Sequence, residues 1–179
     1  MADRNQTKKA LASSLKNLLL AKDFDKISVG DVTENIGMNR KSFYYHFKDK
    51  YDLVTWIFDT EFLTVTPKTA DWGLLSGICN YLYPNRDFYK KIICIEGQNS
   101  FSEHFKSILS TLLKNNLKDV KGDENFIAFY IEFFSDAIFD AFKNWLINDK
   151  NRTAEEFADM LKRCFLTISE RIKKLPNEE

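Results

Sequence analysis

Residues 27–53 read ISVGDVTENIGMNRKSFYYHFKDKYDL and contain two short helical patterns on either side of a glycine. Ser28 and Asp31 have the spacing of a capping box, in which the serine accepts an early backbone N–H and the acid reaches back. Gly37 can adopt the left-handed conformation that ends a helix. Asn39 is a favourable N-cap for the helix that follows. This order of signals predicts a helix-turn-helix.

The second of these helices is predicted to run from Arg40 to Phe47, with one apolar face and one polar face. Phe43 and Phe47 are four residues apart and therefore share the inner face. The outer face carries two cations and two phenols: Arg40, Lys41, Tyr44 and Tyr45. A helix with this outer surface can lie in the major groove of DNA.

The side chains of the outer face suit particular DNA groups. Arg40 or Lys41 can donate to O6 and N7 of a guanine. Tyr45 can contact a base methyl or a phosphate, and Tyr44 can donate its hydroxyl to a phosphate. The alternative is that Tyr44, Tyr45 and His46 only cover the core of a small domain.

Other groups can hold the DNA backbone. The N–H groups that follow Ser28 and Asn39 lie at helix starts, which attract phosphate, and the side chains of Ser28, Asn39 and Ser42 can join them. Lys50 opens the next helix and can reach the flanking phosphate. Such contacts set the position of the protein on DNA and carry little sequence information.

The rest of the chain also follows the helical period, and no segment alternates cleanly with the period of a strand. We therefore expect an all-α protein of about nine helices. An N-terminal three-helix domain, residues 1–50, is predicted to bind DNA. A larger helical bundle, residues 51–179, is predicted to dimerise and to bind an effector or partner.

The charges are distributed unevenly between these two parts. Residues 1–50 hold ten basic and six acidic residues (net +4), and residues 51–179 hold sixteen basic and twenty acidic residues (net −4). A basic N-terminal domain is typical of proteins that bind a polyanion. A charge excess of this size also arises by chance.

Several helix boundaries are predicted from local signals. The first helix should begin at Thr7 and end at Ala21, and the fourth should end near Thr66-Pro67. A short helix should run from Pro84 to Ile93. Breaks are expected at three positions: Gly97, Gly122 and Pro176.

Composition and motifs argue against several classes of protein. The three cysteines are scattered and show no zinc-binding or disulfide spacing. The first residues lack the apolar segment of a signal peptide, and no apolar run is long enough for a membrane span. Nucleophilic triads, glycine-rich phosphate loops and metalloprotease motifs are missing, and the chain has two histidines. We expect a cytoplasmic protein that is not an enzyme and needs no cofactor or metal.

The C-terminal body contains a helix from Glu124 to about Ile147 that is apolar on most of its circumference. Such a helix must be buried nearly all round, so one side is expected to meet a second subunit. The last helix, from Thr153 to about Leu175, is its natural partner in a four-helix dimer interface. The aromatic residues between residues 56 and 105 could line a ligand pocket or fill a solid core, and the sequence slightly favours the solid core.

The motif from Ile27 to Leu53 resembles the DNA-binding signature of the TetR/AcrR family, most specifically from Phe43 to Phe47 and at Lys50 and Leu53. The resemblance covers about residues 7–55. It implies a homodimer, a helical C-terminal domain for a ligand or partner, and repression relieved by a small molecule. By motif position it assigns DNA contacts to nine residues: Ser28, Asn39, Arg40, Lys41, Ser42, Tyr44, Tyr45, His46 and Lys50.

Two details refine this resemblance. Lys41 stands where many members carry a small residue, so the base preference of the family is not carried over. Residues 40–47, Trp56-Ile57 and residues 81–89 resemble the branch that contains regulators of dihydroxyacetone kinase operons, some of which act as activators with a protein co-regulator. We expect a dimeric regulator that binds a palindromic operator and responds to a small-molecule effector. The alternative is an activator that works with a protein co-regulator and has no effector pocket of its own.

Overall fold

A computed structural model describes residues 2–63, 72–95, 100–117, 123–149 and 151–172. All regular secondary structure in these residues is helical, as predicted, with nine α-helices in chain order. The chain divides into two compact units. The first comprises residues 1–65 and 87–103, and the second comprises residues 66–86 and 104–179. The assignment of separate functions to residues 1–50 and 51–179 stays a prediction.

The first unit is built on four helices. They are α1 (Ala2–Ala21), α2 (Val29–Glu34), α3 (Arg40–Tyr44) and α4 (Lys50–Phe58), with a 3-10 turn at Phe24–Lys26 and a π-helical turn at Asp59–Leu63 that prolongs α4. One apolar stripe of α1 is buried, and it includes Leu11, Leu15 and Leu19. Apolar side chains between residues 24 and 57 are buried as well: Phe24, Ile27, Val32, Phe43, Phe47, Leu53 and Ile57.

Residues 87–103 complete the first unit with aromatic side chains. The ring of Phe58 lies 5.3 Å from that of Phe101 and 6.0 Å from that of Tyr89, both edge-on. The rings of Tyr89 and Phe101 are 5.2 Å apart. All three side chains are fully buried. Burial of an aromatic side chain contributes strongly to a core, so the end of α4 depends on a segment thirty residues or more further along the chain.

The second unit contains α5 (Trp72–Leu82), the larger part of α7 (Phe101–Leu117), α8 (Glu124–Ile147) and α9 (Ala154–Ile172); the short α6 (Arg86–Tyr89) starts in it. Its core combines aliphatic side chains with several aromatic ones. The ring of Trp145 stacks on Phe157 at 4.5 Å and on Tyr83 at 5.8 Å. The indole N–H of Trp145 donates to the carbonyl of Arg152 at 3.0 Å. The guanidinium of Arg86 donates to the carbonyls of Trp145 and Leu146 in the last turn of α8, where helix carbonyls lack partners within the helix, and to that of Asp149 just beyond it.

Three predicted boundaries differ from the structure. The first helix begins at Ala2, five residues before Thr7. The helix predicted from Pro84 to Ile93 is a single turn, Arg86–Tyr89. The second helix of the motif ends at Tyr44, three residues before Phe47. The predicted end near Thr66-Pro67 and the breaks at Gly97, Gly122 and Pro176 lie outside the described residues.

None of the helices described is both long and apolar enough to cross a lipid bilayer.

Candidate nucleic-acid interface

The start of α2 is fixed by the predicted capping box. The backbone N–H of Asp31 donates to Ser28 Oγ at 3.1 Å, and the Asp31 carboxylate accepts the backbone N–H of Ser28 at 2.7 Å. The hydroxyl of Ser28 also donates to this carboxylate, and Lys22 approaches it to 3.1 Å. These bonds, those from Ser28 foremost, hold the pKa of Asp31 well below its usual value. Ser28 is exposed, and its hydroxyl already serves the helix start.

The turn between α2 and α3 has the conformation that its glycine predicts. Gly37 has a φ of 66°, and the N–H of Met38 donates back to the carbonyl of Thr33 at 2.8 Å. Asn39 then caps α3, since its Oδ1 accepts the N–H of Ser42 at 2.9 Å and lies 3.2 Å from the Ser42 hydroxyl. The turn and the start of α3 are therefore held by bonds between residues close in sequence.

A buried serine ties α1 to α2. Ser14 is 1% exposed, and its hydroxyl donates to the carbonyl of Val32 at 2.7 Å. The side-chain amide of Asn35 donates to the same hydroxyl oxygen at 3.1 Å. Because Val32 lies on α2 and Asn35 at its end, this serine fixes how α2, and the turn after it, are placed on α1.

The apolar and polar faces of residues 40–47 separate as predicted. Phe43 and Phe47 are buried with ring centroids 5.7 Å apart. Tyr44 and Tyr45 are 58% and 64% exposed. Arg40 and Lys41 are exposed too, and Ser42 is half-buried. An apolar anchor on one side thus leaves cations and phenols on the other, which is the surface a recognition helix needs.

His46 occupies the edge between these faces. It is half-buried, and its ring lies edge-on to Tyr45 at 5.0 Å and 6.5 Å from the ring of Phe47. The structure therefore places His46 against both the exposed and the buried aromatic residues. Its contact with DNA stays a prediction.

Lys50 is held more firmly than the sequence suggests. Its ammonium donates to the carbonyls of Phe24 at 2.7 Å and Ile27 at 2.9 Å, and lies 4.4 Å from the ring centroid of Phe24. Desolvation lowers the pKa of Lys50, while the Asp25 carboxylate acts in the opposite direction. An ammonium has three N–H donors, so two carbonyls leave one for a phosphate. The phosphate contact of Lys50 stays a prediction. In addition, Lys50 has a structural role, because it donates to the carbonyls of Phe24 and Ile27.

Two cations of α1 belong to this surface and were missed by the sequence analysis. The guanidinium of Arg4 donates to the hydroxyl of Tyr45 and lies 5.0 Å from its ring centroid. The ammonium of Lys8 lies 5.1 Å from the ring of Phe47 and 5.5 Å from that of Trp56. Their spacing of four residues places both on one face of α1, which was the available signal. Because the helix was expected to begin at Thr7, it did not include Arg4, and the spacing could not be used to place Arg4 on the same face as Lys8.

No cluster of side chains suited to a metal ion occurs in the described part of the chain.

Comparison with known families gives two matches that together span most of the chain. A model described as "Bacterial regulatory proteins, tetR family" matches residues 13–55. A TetR C-terminal model, described as "Transcriptional regulator C-terminal region", matches residues 72–166, which is more than half of the chain. The first match contains α2, α3 and the turn between them.

One curated relative is the HTH-type dhaKLM operon transcriptional activator DhaS of Lactococcus lactis subsp. lactis (strain IL1403). It is 31% identical over 103 residues, which are 55% of this chain and 54% of that protein. The match thus spans about half of the relative's length.

Two solved structures share the fold. A dihydroxyacetone kinase operon activator DhaS superposes with a TM-score of 0.65 at 22% identity, covering 92% of this chain and 97% of that one. A TetR transcriptional regulator from Streptococcus agalactiae 2603V gives a TM-score of 0.68 at 21% identity, covering 91% and 95%.

Proposed function

The chain belongs to the TetR family of bacterial regulatory proteins, and we propose that it binds a palindromic operator as a homodimer and responds through its C-terminal domain to a small-molecule effector. Membership makes it a transcription regulator and not an enzyme. The operator, the dimer and the effector are the parts that we propose.

The observation that carries DNA binding is the separation of an apolar and a polar face in α3 and the residues that follow it to Phe47. Phe43 and Phe47 anchor the helix in the core, whereas Arg40, Lys41 and Tyr45 are exposed. Guanidinium and ammonium groups on such a helix can donate to guanine edges in the major groove. We assign Arg40 and Lys41 to base contacts, and Tyr45 to a base methyl or a phosphate. Ser28, Asn39, Ser42, Tyr44, His46 and Lys50 are assigned to the backbone or the edge of the interface.

The homodimer is supported by the apolar surface of α8. Phe126, Phe129 and Phe133 are 44%, 63% and 55% exposed within one chain, and Met160 of α9 is 47% exposed. Residues three and four apart share a face of a helix, so the three phenylalanines form one stripe. A two-fold interface that pairs α8 and α9 of two subunits would cover this apolar surface.

DNA binding is tested with the fragment upstream of the protein's own gene. We expect the purified protein to shift this fragment, with an affinity that falls steeply as the salt concentration rises. Arg40→Ala and Lys41→Ala should each reduce the affinity and relax base preference, by about 1–3 kcal/mol at the base pair concerned.

Lys50→Ala should weaken binding to all sequences alike. It should also lower thermal stability, because the carbonyls of Phe24 and Ile27 lose the donor that Lys50 supplies.

The matched control is Lys9→Ala, which removes one positive charge from an exposed position of α1. It should change neither base preference nor stability appreciably. The proposal is wrong if the wild-type protein shifts no upstream fragment at low salt and the Arg40 variant behaves identically.

A second candidate function is supported by the aromatic packing and by one relative. This candidate is an activator that works with a protein co-regulator and lacks an effector pocket. Phe105 and Phe142 pack edge-on at 5.1 Å, and Tyr89 and Phe101 lie 5.2 Å apart, so rings that could have lined a pocket fill space among themselves. The Lactococcus lactis relative is named an activator. Transcription in a purified system separates the two candidates, because the first responds to a small molecule alone and the second requires a protein co-regulator.

A further inference from the structure

Gly30 is an unexpected residue at the second position of α2. A glycine inside a helix is less favourable than alanine by roughly 0.5–1 kcal/mol. Its backbone is ordinary α-helix, and its φ lies outside the left-handed region that favours glycine. The residue is also buried. Backbone conformation therefore does not require a glycine here.

The space beside Gly30 is filled by Arg40. A Cβ atom added to Gly30 would lie 2.6 Å from Nη2, 3.0 Å from Nε and 3.2 Å from Cζ of Arg40. These three atoms belong to one guanidinium, so this group lies directly against the α2 backbone. A methyl group at position 30 requires the guanidinium to move, because real Cβ contacts are essentially never below 3.0 Å.

The guanidinium lies against Gly30 while its hydrogen-bonding groups are unused by the described residues. Arg40 is exposed, and within the described residues its side chain makes no hydrogen bond or ion pair. A guanidinium has five N–H donors in a fixed planar arrangement. Contact with a glycine backbone can therefore hold the group in position while its donors stay available to a base.

We propose that Gly30 is a specificity-determining position of the DNA interface, because the absence of a side chain there sets the position of the Arg40 guanidinium. The inference rests on the proposed function, in which Arg40 contacts a base. Gly30 itself is a positioning residue and acts through Arg40.

The test is a double-mutant cycle of Gly30→Ala, Arg40→Ala and the double variant. Binding is measured on the preferred operator and on operators altered at single base pairs. We expect Gly30→Ala to reduce discrimination about fivefold or more at the base pair where Arg40→Ala also does so. In the Arg40→Ala background the same glycine substitution should have no further effect, since coupled residues are not additive.

Two further measurements separate this effect from damage to the fold. Thermal stability of Gly30→Ala should be unchanged or raised, because alanine favours the helix. In the free protein, the NMR signal of the Arg40 Nε–H should shift in Gly30→Ala. It should not shift in Gly73→Ala, which changes an exposed glycine at the second position of α5.

The possible results distinguish this inference from the proposed function. If the wild-type protein binds no operator, the proposed function fails and the inference fails with it. If the wild-type protein binds DNA, three results overturn the inference alone: unchanged base preference in Gly30→Ala, additive effects in the double variant, or an unshifted Arg40 signal.

Discussion

Tyr45 and Arg4 hold each other at the outer edge of α3. The guanidinium of Arg4 donates to the phenolic oxygen and lies over the ring at 5.0 Å. Because the oxygen accepts this bond, its own proton is left to donate to a DNA acceptor. Arg4 also brings a positive charge beside Tyr45, where a phosphate is expected.

We expect Arg4→Ala to weaken operator binding severalfold and to lower the slope of log affinity against log salt by about 0.9, the value for one lost phosphate contact. Fluorescence anisotropy at several salt concentrations measures both. Lys9→Ala is the matched control, since Lys9 lies on the same helix roughly 140° round from Arg4. A slope that falls equally in the two variants would show that only net charge matters.

Residues with local partners were predictable from the sequence, and residues with distant partners were not. The caps at Ser28 and Asn39 use partners three residues away, and the burial of Phe43 follows from helical spacing. By contrast, the pairs of Arg4 with Tyr45 and of Lys50 with Phe24 join residues 41 and 26 positions apart. Long side chains have many rotamers, and only the folded surroundings select one of them.

At the scale of elements, the turn between α2 and α3 determines how these two helices are oriented in the candidate interface. Gly37 has a positive φ, and a Cβ added to it would meet no atom within 4 Å. The cost of a side chain at this position is therefore conformational and not steric. Gly37 differs in this from Gly30, whose backbone is ordinary α-helix and where an added Cβ would meet the guanidinium of Arg40.

Gly37→Ala should lower the free energy of unfolding by about 1–2 kcal/mol, because an L-residue is strained in the left-handed region. Gly37→Asn should cost less, since asparagine tolerates that region better than alanine. Chemical denaturation followed by circular dichroism measures both. Equal losses in the two variants would mean that the strain is not the cause.

The order and number of helices were predictable, and their ends were less so. The residues from Ala2 to Gln6 have no apolar periodicity, so the helical pattern alone could not extend α1 beyond Thr7. The shorter α3 is a smaller discrepancy, because the N–H of Phe47 still donates to the carbonyl of Phe43 at 2.9 Å. Helix ends are commonly assigned with a difference of one or two residues.

At the scale of the molecule, the stripe formed by Phe126, Phe129 and Phe133 on α8 is exposed in a single chain although its side chains are apolar. A contiguous exposed apolar surface is typical of an interaction site. The proposed occupant is the same surface of a second subunit. Two recognition helices would then be available to one operator.

The double variant Phe129→Asp with Phe133→Asp should be monomeric by analytical ultracentrifugation. Both side chains are more than half exposed, so the helical content should be retained. Operator affinity should fall about a hundredfold or more, because two linked contacts bind far more tightly than one. Leu20→Asp is the control, since Leu20 is 80% exposed on α1. A variant that stays dimeric would exclude this face.

The two compact units are not consecutive along the chain, and this affects how the protein can be recombined with its relatives. The chain passes between them at residues 65–66, 86–87 and 103–104. Phe58 packs on Tyr89 and Phe101, so a fragment that stops at residue 65 leaves an aromatic side chain without its partners. A chimera that takes its DNA specificity from one parent must therefore inherit residues 87–103 from that parent together with residues 1–65.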